Sequence, residues 1–290
     1  MWILFALGAA FFAGLTAILA KAGVEQTPSN LATALRTIVV LLSALLMVTI
    51  VGSWQAIGDL SGQTWFFLVL SGLATGASWL CFFRAIQLGP VSTVSAIDKS
   101  SIVITVLLAV FLLGETNSLV ARLVGIALIS VGTYLMVEWR PDPTKKGAGS
   151  WVFYALGSAV FAALTAILGK VGIVGVESNL GTAVRSFVVL IMAWIVVAIS
   201  GEASRLSAIP RREIGFIALS GLATGVSWLF YWRAMQDGPA SVVAPIDKLS
   251  ILVTVVLAWL IFGERQSRKA LVGLVLIVIG TLTMLFPLAG

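Results

Sequence analysis

Ten stretches of about 20 mostly apolar residues follow one another along this chain, joined by short polar connections, and nothing else in it restricts folding so severely. A helix pairs its own backbone donors and acceptors, so a run of that length can cross the ~30 Å hydrocarbon layer of a bilayer, where unpaired backbone cannot persist. The runs fall at roughly 1–21, 31–52, 65–88, 91–113, 119–138, 151–170, 180–200, 214–237, 241–262 and 268–288. They occupy nearly all of the 290 residues and leave no length for a soluble domain of ordinary size. Only 10% of residues are charged, against about a quarter in a soluble domain, so a water-soluble enzyme is excluded. Between the fifth and sixth runs, RPDPTKKGAGS (140–150) has the composition of a linker.

Sliding the chain by 149 positions brings two copies of one sequence into register. LTAILAK (Leu15 to Lys21) meets LTAILGK (Leu164 to Lys170), and SGLATGASWL (Ser71 to Leu80) meets SGLATGVSWL (Ser220 to Leu229). About half of the first 115 positions match without a gap. The first run recurs at Trp151, where no secretory signal could act, so it reads as a retained helix. The chain is therefore expected to be an all-α integral membrane protein with a first repeat over 1–139, a cytoplasmic linker at 140–150 and a second repeat over 151–290. Five helices per copy is an odd number, so the second copy enters the bilayer in the opposite sense. The expectation is ten transmembrane helices as two inverted five-helix repeats.

Cations that the copies do not share orient the bundle. An external N-terminus puts Arg140, Lys145, Lys146, Arg205, Arg211, Arg212, Arg265, Arg268 and Lys269 in the cytoplasm and only Arg122 outside, as the positive-inside rule requires. Both termini are then external. The shared cations Lys21/Lys170, Arg36/Arg185, Arg84/Arg233 and Lys99/Lys248 fall on both sides by symmetry and need another explanation. The net charge of +6 sits in short loops without interleaved aromatics, so no nucleic-acid partner is expected. With no histidine and a single cysteine, Cys81, neither a disulfide nor an imidazole or thiolate metal site can be assembled. No phosphate-binding glycine loop or hydrolytic constellation is visible, so the chain is read as a non-enzyme without a cofactor.

The segments SAIDKSSIVITVLLAVFLLGE (Ser95 to Glu115) and APIDKLSILVTVVLAWLIFGE (Ala244 to Glu264) resemble the EamA-type domain of the drug/metabolite transporter superfamily. Each half looks like the small five-helix bacterial and archaeal members, and the resemblance covers essentially the whole chain. It implies two inverted repeats around a central cavity, with the first four helices of each repeat lining the path and the fifth peripheral. It also implies export or exchange of small metabolites such as amino acids in a bacterial or archaeal cytoplasmic membrane. Ten-helix relatives are usually drawn with cytoplasmic termini, whereas the charge distribution here favours external ones.

Asp98 and Asp247 lie about eight residues, or ~12 Å, into the fourth and ninth runs, where an ionised carboxylate is costly unless paired or wet. Together with Lys99, Lys248, Arg84, Arg233, Lys21 and Lys170 they are candidate gating or coupling groups. Three roles stay open: an ion-pair network fastening the third helix to the fourth, an ion-pair gate that forms and breaks as the halves rock, and a proton-coupling carboxylate. One acid against four cations in each half makes an anionic solute the better electrostatic match. Arg36 and Arg185 are either structural pairs or bidentate partners of a substrate carboxylate. Thr16, Thr165, Thr75, Thr224, Ser78, Ser227, Trp79, Trp228, Phe82 and Tyr231 are the remaining candidate substrate contacts. The tryptophans fall near the bilayer middle, away from the interfacial belt, so they line an interior as packing or as cavity wall. Asn30 and Asn179, with Ser29 and Ser178 before them, read as helix caps. Gly72/Gly76, Gly221/Gly225, Gly125/Gly132 and Gly273/Gly280 read as close-packing surfaces, and Glu115 and Glu264 as loop locks. The function expected is a secondary transporter moving a small solute by alternating access, as a monomer in the lipid bilayer whose repeats replace an antiparallel homodimer. A lipid-linked-substrate flippase and a non-transporting scaffold or helper subunit are the rivals.

Overall fold

The computed structural model describes residues 2–113, 119–137, 150–172, 176–237 and 246–285. Glu115 and, Ser150 apart, the 140–150 linker lie outside the described residues. The helices are α1 (Trp2–Ala22), α2 (Ser29–Val51), α3 (Gly62–Leu88), α4 (Val91–Lys99), α5 (Ser101–Leu113), α6 (Leu119–Met136), α7 (Ser150–Gly172), α8 (Ser178–Ile199), α9 (Arg211–Asp237), α10 (Ser250–Phe262) and α11 (Arg268–Leu285). No strand occurs among the described residues. Among the described residues eight helical stretches are long and apolar enough to cross a membrane, and side chains such as Leu4, Phe111, Phe153 and Ile199 stand outward from the bundle. The chain is a multi-span helical membrane protein.

Two apolar runs, the fourth and the ninth, depart from the single helix expected of each. The fourth is broken at Ser100 (φ −65°, ψ −9°), and 149 positions later Leu249 (φ −66°, ψ −8°) interrupts the helix before α10. A ψ near zero is tighter than an α-helix and closer to 3₁₀ geometry, and each break follows directly on an Asp-Lys pair. The caps also differ from expectation. α2 begins after Pro28 without a side-chain cap. α8 is capped by Glu177, whose carboxylate accepts from the backbone N–H of Asn179 and Leu180, each at 2.9 Å. Ser29 and Asn30, like Asn179, already lie inside the first turn, where a short side chain no longer meets the free N–H groups. Asn30 Nδ2 instead donates to Glu202 Oε1 (3.0 Å) in the turn after α8.

Burial favours the neutral form of Glu177, but the two backbone bonds and those from Ser53 and the Asn179 side chain outweigh it and hold its carboxyl below the usual glutamate range. A depressed folded-state value stabilises the fold above the ordinary glutamate range and is lost as pH falls through it. Wild-type protein is thus expected to lose melting temperature between pH 6 and 4 more steeply than Glu177→Gln. Parallel melting curves for the two would remove Glu177 from the acid response.

Contacts recur in pairs with the halves exchanged. Ser227 Oγ donates to Ala9 O (2.9 Å) and Ser220 Oγ to Thr16 O (3.2 Å), so α9 runs antiparallel to α1. Ser78 Oγ donates to Ser158 O (3.0 Å) and Ser71 Oγ to Thr165 O (3.0 Å), so α3 runs antiparallel to α7. Gly221 and Gly225 lie on Val39 and Ser43 of α2, while Gly72 and Gly76 lie on Val188 and Met192 of α8, both in the parallel sense. Gly125 meets Gly280 and Gly132 meets Gly273, which makes α6 and α11 antiparallel. Asn30 at the start of α2 bonds Glu202 beyond the end of α8, and Ser53 beyond the end of α2 bonds Glu177 at the start of α8, so these two are antiparallel; with that link α1, α2, α3 and α6 each run opposite to their counterparts α7, α8, α9 and α11. The crossings are dry and tight because glycine and alanine let backbones touch where lipid removes the hydrophobic drive between helices: a Cβ on Gly72 or Gly221 would lie 2.7 Å from Val188 or Val39.

Candidate functional site

The paired contacts leave a cavity of about 300 Å³ at the centre. α1 contributes Thr16, α2 Arg36, α3 Ser78, Trp79 and Phe82, and α4 Ser95, Asp98 and Lys99. From the second half come Thr224, Ser227, Trp228 and Tyr231 of α9, then Asp247 and, from α10, Thr254. Trp79 and Trp228 form one wall, their rings 6.3 Å apart and tilted by 34°.

Arg36 dominates the polar side. It is 4% exposed. Its Nη2 donates to Thr224 Oγ1 (2.6 Å) and its Nε to Ser220 Oγ (3.2 Å), while the guanidinium lies 4.3 Å from the centroid of Trp79. Nη1 has no partner, and no carboxylate among the described residues contacts this buried cation. The second half repeats the bonding, with Arg185 Nη2 donating to Thr75 Oγ1 (3.4 Å) and Thr75 Oγ1 to Thr165 Oγ1 (3.3 Å). Arg185, Thr75 and Thr165 are not in the lining, however. The pseudo-twofold thus holds for the arginine–threonine bond, while Arg185 Nε has no counterpart to the Arg36–Ser220 bond and access differs.

The two acids and the cations nearest them in sequence separate into two groups. Asp98 accepts from Ser158 Oγ (2.6 Å), and Lys248 lies within electrostatic reach of Asp98, Asp247 and Lys99 beside the two helix breaks. Tyr231 adjoins Asp247. Arg84 is exposed and donates to Gln87 Oε1 (2.7 Å), and Arg233 is exposed as well.

Below the cavity, where α1 ends and α2 and α9 begin, a latch crosses between the halves. Lys21 Nζ donates to Ile86 O and Gly89 O, and Gln87 Nε2 to Val24 O and Thr27 O. Glu213 of α9, 4% exposed, accepts from the backbone N–H of Gln26 (3.0 Å) and Thr27 (2.7 Å) and from the Thr27 hydroxyl. Glu264 accepts from Val91 N (2.9 Å), Ser92 N (3.1 Å) and Ser92 Oγ (2.8 Å) at the start of α4, so the Gly-Glu ending of the ninth run does bind a helix start in the other half. Lys170, the counterpart of Lys21 on the opposite face, is exposed. Sequence reasoning passed over Glu213, because its repeat partner is Thr64 and no symmetry marks it, and Ser95, whose partner is Ala244. Glu213→Ala would leave two buried donors of Thr27 unmatched, at about 1–3 kcal/mol each, along with the partly buried N–H of Gln26. The expected result is a lower melting temperature and at least tenfold faster maleimide labelling of Ala17→Cys in a Cys81→Ser background; unchanged labelling would deny the latch any role in closing this face.

A polar cavity between oppositely directed helix bundles, latched at one end, is the architecture of a membrane carrier. Residues 1–138 and 149–286 each match the EamA-like transporter family, and the chain belongs to that family as a tandem duplication. It is 47% identical over 135 residues to "Uncharacterized transporter in cobO 3'region" of Sinorhizobium sp, a match covering 47% of this chain and 96% of that one; that relative is one repeat long. It is 24% identical over 221 residues to the "S-adenosylmethionine uptake transporter" of Rickettsia prowazekii (strain Madrid E), covering 76% of this chain and 72% of that one. A solved structure titled "Crystal structure of protein" superposes over 98% of this chain and 96% of that one, with a TM-score of 0.65 at 17% identity, which is a likeness of fold.

Proposed function

We propose that the chain is a secondary transporter of a bacterial or archaeal cytoplasmic membrane, exporting or exchanging a small amino-acid-like or anionic metabolite. In this reading ten spans form inverted repeats at 1–139 and 151–290, the 140–150 linker is cytoplasmic and both termini are external. The observation that carries it is the cavity whose walls come from both halves and whose polar side chains are buried above a hydrogen-bonded latch. Because the halves are alike and opposed, exchanging their conformations costs little and opens the latched face while closing the other. The half-length Sinorhizobium relative supports a monomer here, since one repeat alone lacks the opposing walls. Thermal denaturation against a metabolite panel that includes S-adenosylmethionine tests the reading, because a solute that binds the folded state raises its stability. No stabilising solute and no counterflow in proteoliposomes would end it.

The two aspartates and two lysines form the gate, with Lys21 and Lys170 closing opposite faces and Arg84 and Arg233 at the rims. Exchange needs no titrating group, so Asp98→Asn combined with Asp247→Asn is expected to slow exchange at least tenfold and leave the response to an imposed pH gradient unchanged. A response lost in the double variant would assign proton transfer to these acids.

A further inference from the structure

Within the carrier reading above, on which this step rests, the cavity specifies the charge of its solute. Asp98 and Asp247 are matched in number by Lys99 and Lys248, and Lys248 lies within electrostatic reach of both acids. Arg36 stands outside that balance. It is buried at 4% exposure, its described partners are hydroxyls and aromatic rings, and it leaves Nη1 unbonded. Close by in the same lining, Ser95 is 1% exposed and its Oγ is also without a partner. Buried polar groups are ordinarily paired, and one that is not carries a free-energy cost until something binds it. Two orphan donors and one positive charge without a carboxylate partner therefore belong to residues that line a single small space.

We infer that the transported solute is a net monoanion, a carboxylate on a compact apolar body, with its carboxylate oxygens on Arg36 Nη1 and Ser95 Oγ and its body against Trp79 and Trp228. A monoanion brings the cavity to neutrality. A zwitterion leaves the arginine charge uncompensated, a cation doubles the excess, and a dianionic phosphate ester buries a negative charge in its place, each at a cost in a site set among membrane-spanning helices. The orientation is fixed as well, because the repeat position of Ser95 is Ala244 and the hydroxyl exists on the first half alone.

Three probes of one shape and different charge test this on the purified wild-type protein: 3-phenylpropionate, phenylalanine and phenethylamine, which carry −1, 0 and +1 at pH 7. The expected result is a concentration-dependent rise in melting temperature with 3-phenylpropionate, at least tenfold weaker apparent binding of the other two, and at least tenfold weaker 3-phenylpropionate binding by Ser95→Ala with its unliganded melting temperature unchanged. An equal or larger response to phenylalanine or phenethylamine overturns the inference, as does an unaltered response in Ser95→Ala or silence from all three probes at 10 mM. In each of those cases a hit elsewhere in the metabolite panel keeps the carrier reading intact, so the two failures are separable.

Discussion

Arg36→Gln is expected to abolish recognition of an anionic solute while leaving the empty protein as stable as before, or more so. A hydrogen bond between charged groups contributes about 1.5–3 kcal/mol, and the Coulomb attraction in a water-poor site adds to it. Losing about 2.8 kcal/mol is a ~100-fold loss of affinity. Stability is expected to move the other way because a buried cation without a carboxylate partner is a cost to the fold that glutamine removes. The hydroxyls it leaves remain satisfied, since Thr224 donates to Ser220 O and Ser220 to Thr16 O. Arg36→Lys keeps the charge but loses the fork that reaches Ser220, Thr224 and the cavity together, and an affinity about tenfold below wild type is the expected intermediate. Binding titrations and melting curves on the same preparations check both. A variant with a lowered melting temperature and intact binding would show that Arg36 is a structural brace.

The second large effect concerns a site remote from the cavity. Gly132→Leu is expected to lower the melting temperature by about 6–12 °C, the consequence of roughly 3 kcal/mol in a chain of this size. A Cβ at this position would sit 2.5 Å from the Gly273 carbonyl oxygen and 3.0 Å from the Ile277 backbone nitrogen. Both obstacles are backbone, so no side chain can swing away, and α6 and α11 must separate. Gly58→Leu is the control, since its Cβ would meet nothing within 4 Å, and its melting temperature is expected to match wild type. Neither α6 nor α11 contributes to the cavity lining, so the folded fraction of Gly132→Leu is expected to bind solute with unchanged affinity. Equal melting temperatures for the two variants would mean that the α6–α11 crossing carries little of the stability.

Part of the site was readable from residue types alone. Trp79 and Trp228 at mid-bilayer depth signal an interior wall, and the glycine pairs predict crossings that Gly72, Gly221, Gly132 and Gly273 make. Reading the shared cations together was less successful. All four pairs looked alike by position, yet Arg84 and Arg233 turn outward and Lys21 ties loops, while Arg36 and Lys99 reach the cavity. Depth along a helix is legible from sequence; the direction a long side chain takes is chosen by its neighbours. Glu177 and Glu213 escaped notice for a related reason, since each spends its carboxylate on backbone N–H groups, in the case of Glu213 those of a loop almost 190 residues away in sequence.

Sequence by itself determined that the chain lives in lipid and that one unit is written in it twice, because apolar run length and repeat register are properties of the chain read in order. Only the tertiary structure decided that Arg36 lines the cavity and Arg185 does not, that the latch closes the face of Lys21 and Glu213, and that the helices break at Ser100 and Leu249. Two similar sequences in opposite orientations admit two closures related by exchanging the halves, and the choice between them rests on contacts between distant segments that no local pattern encodes.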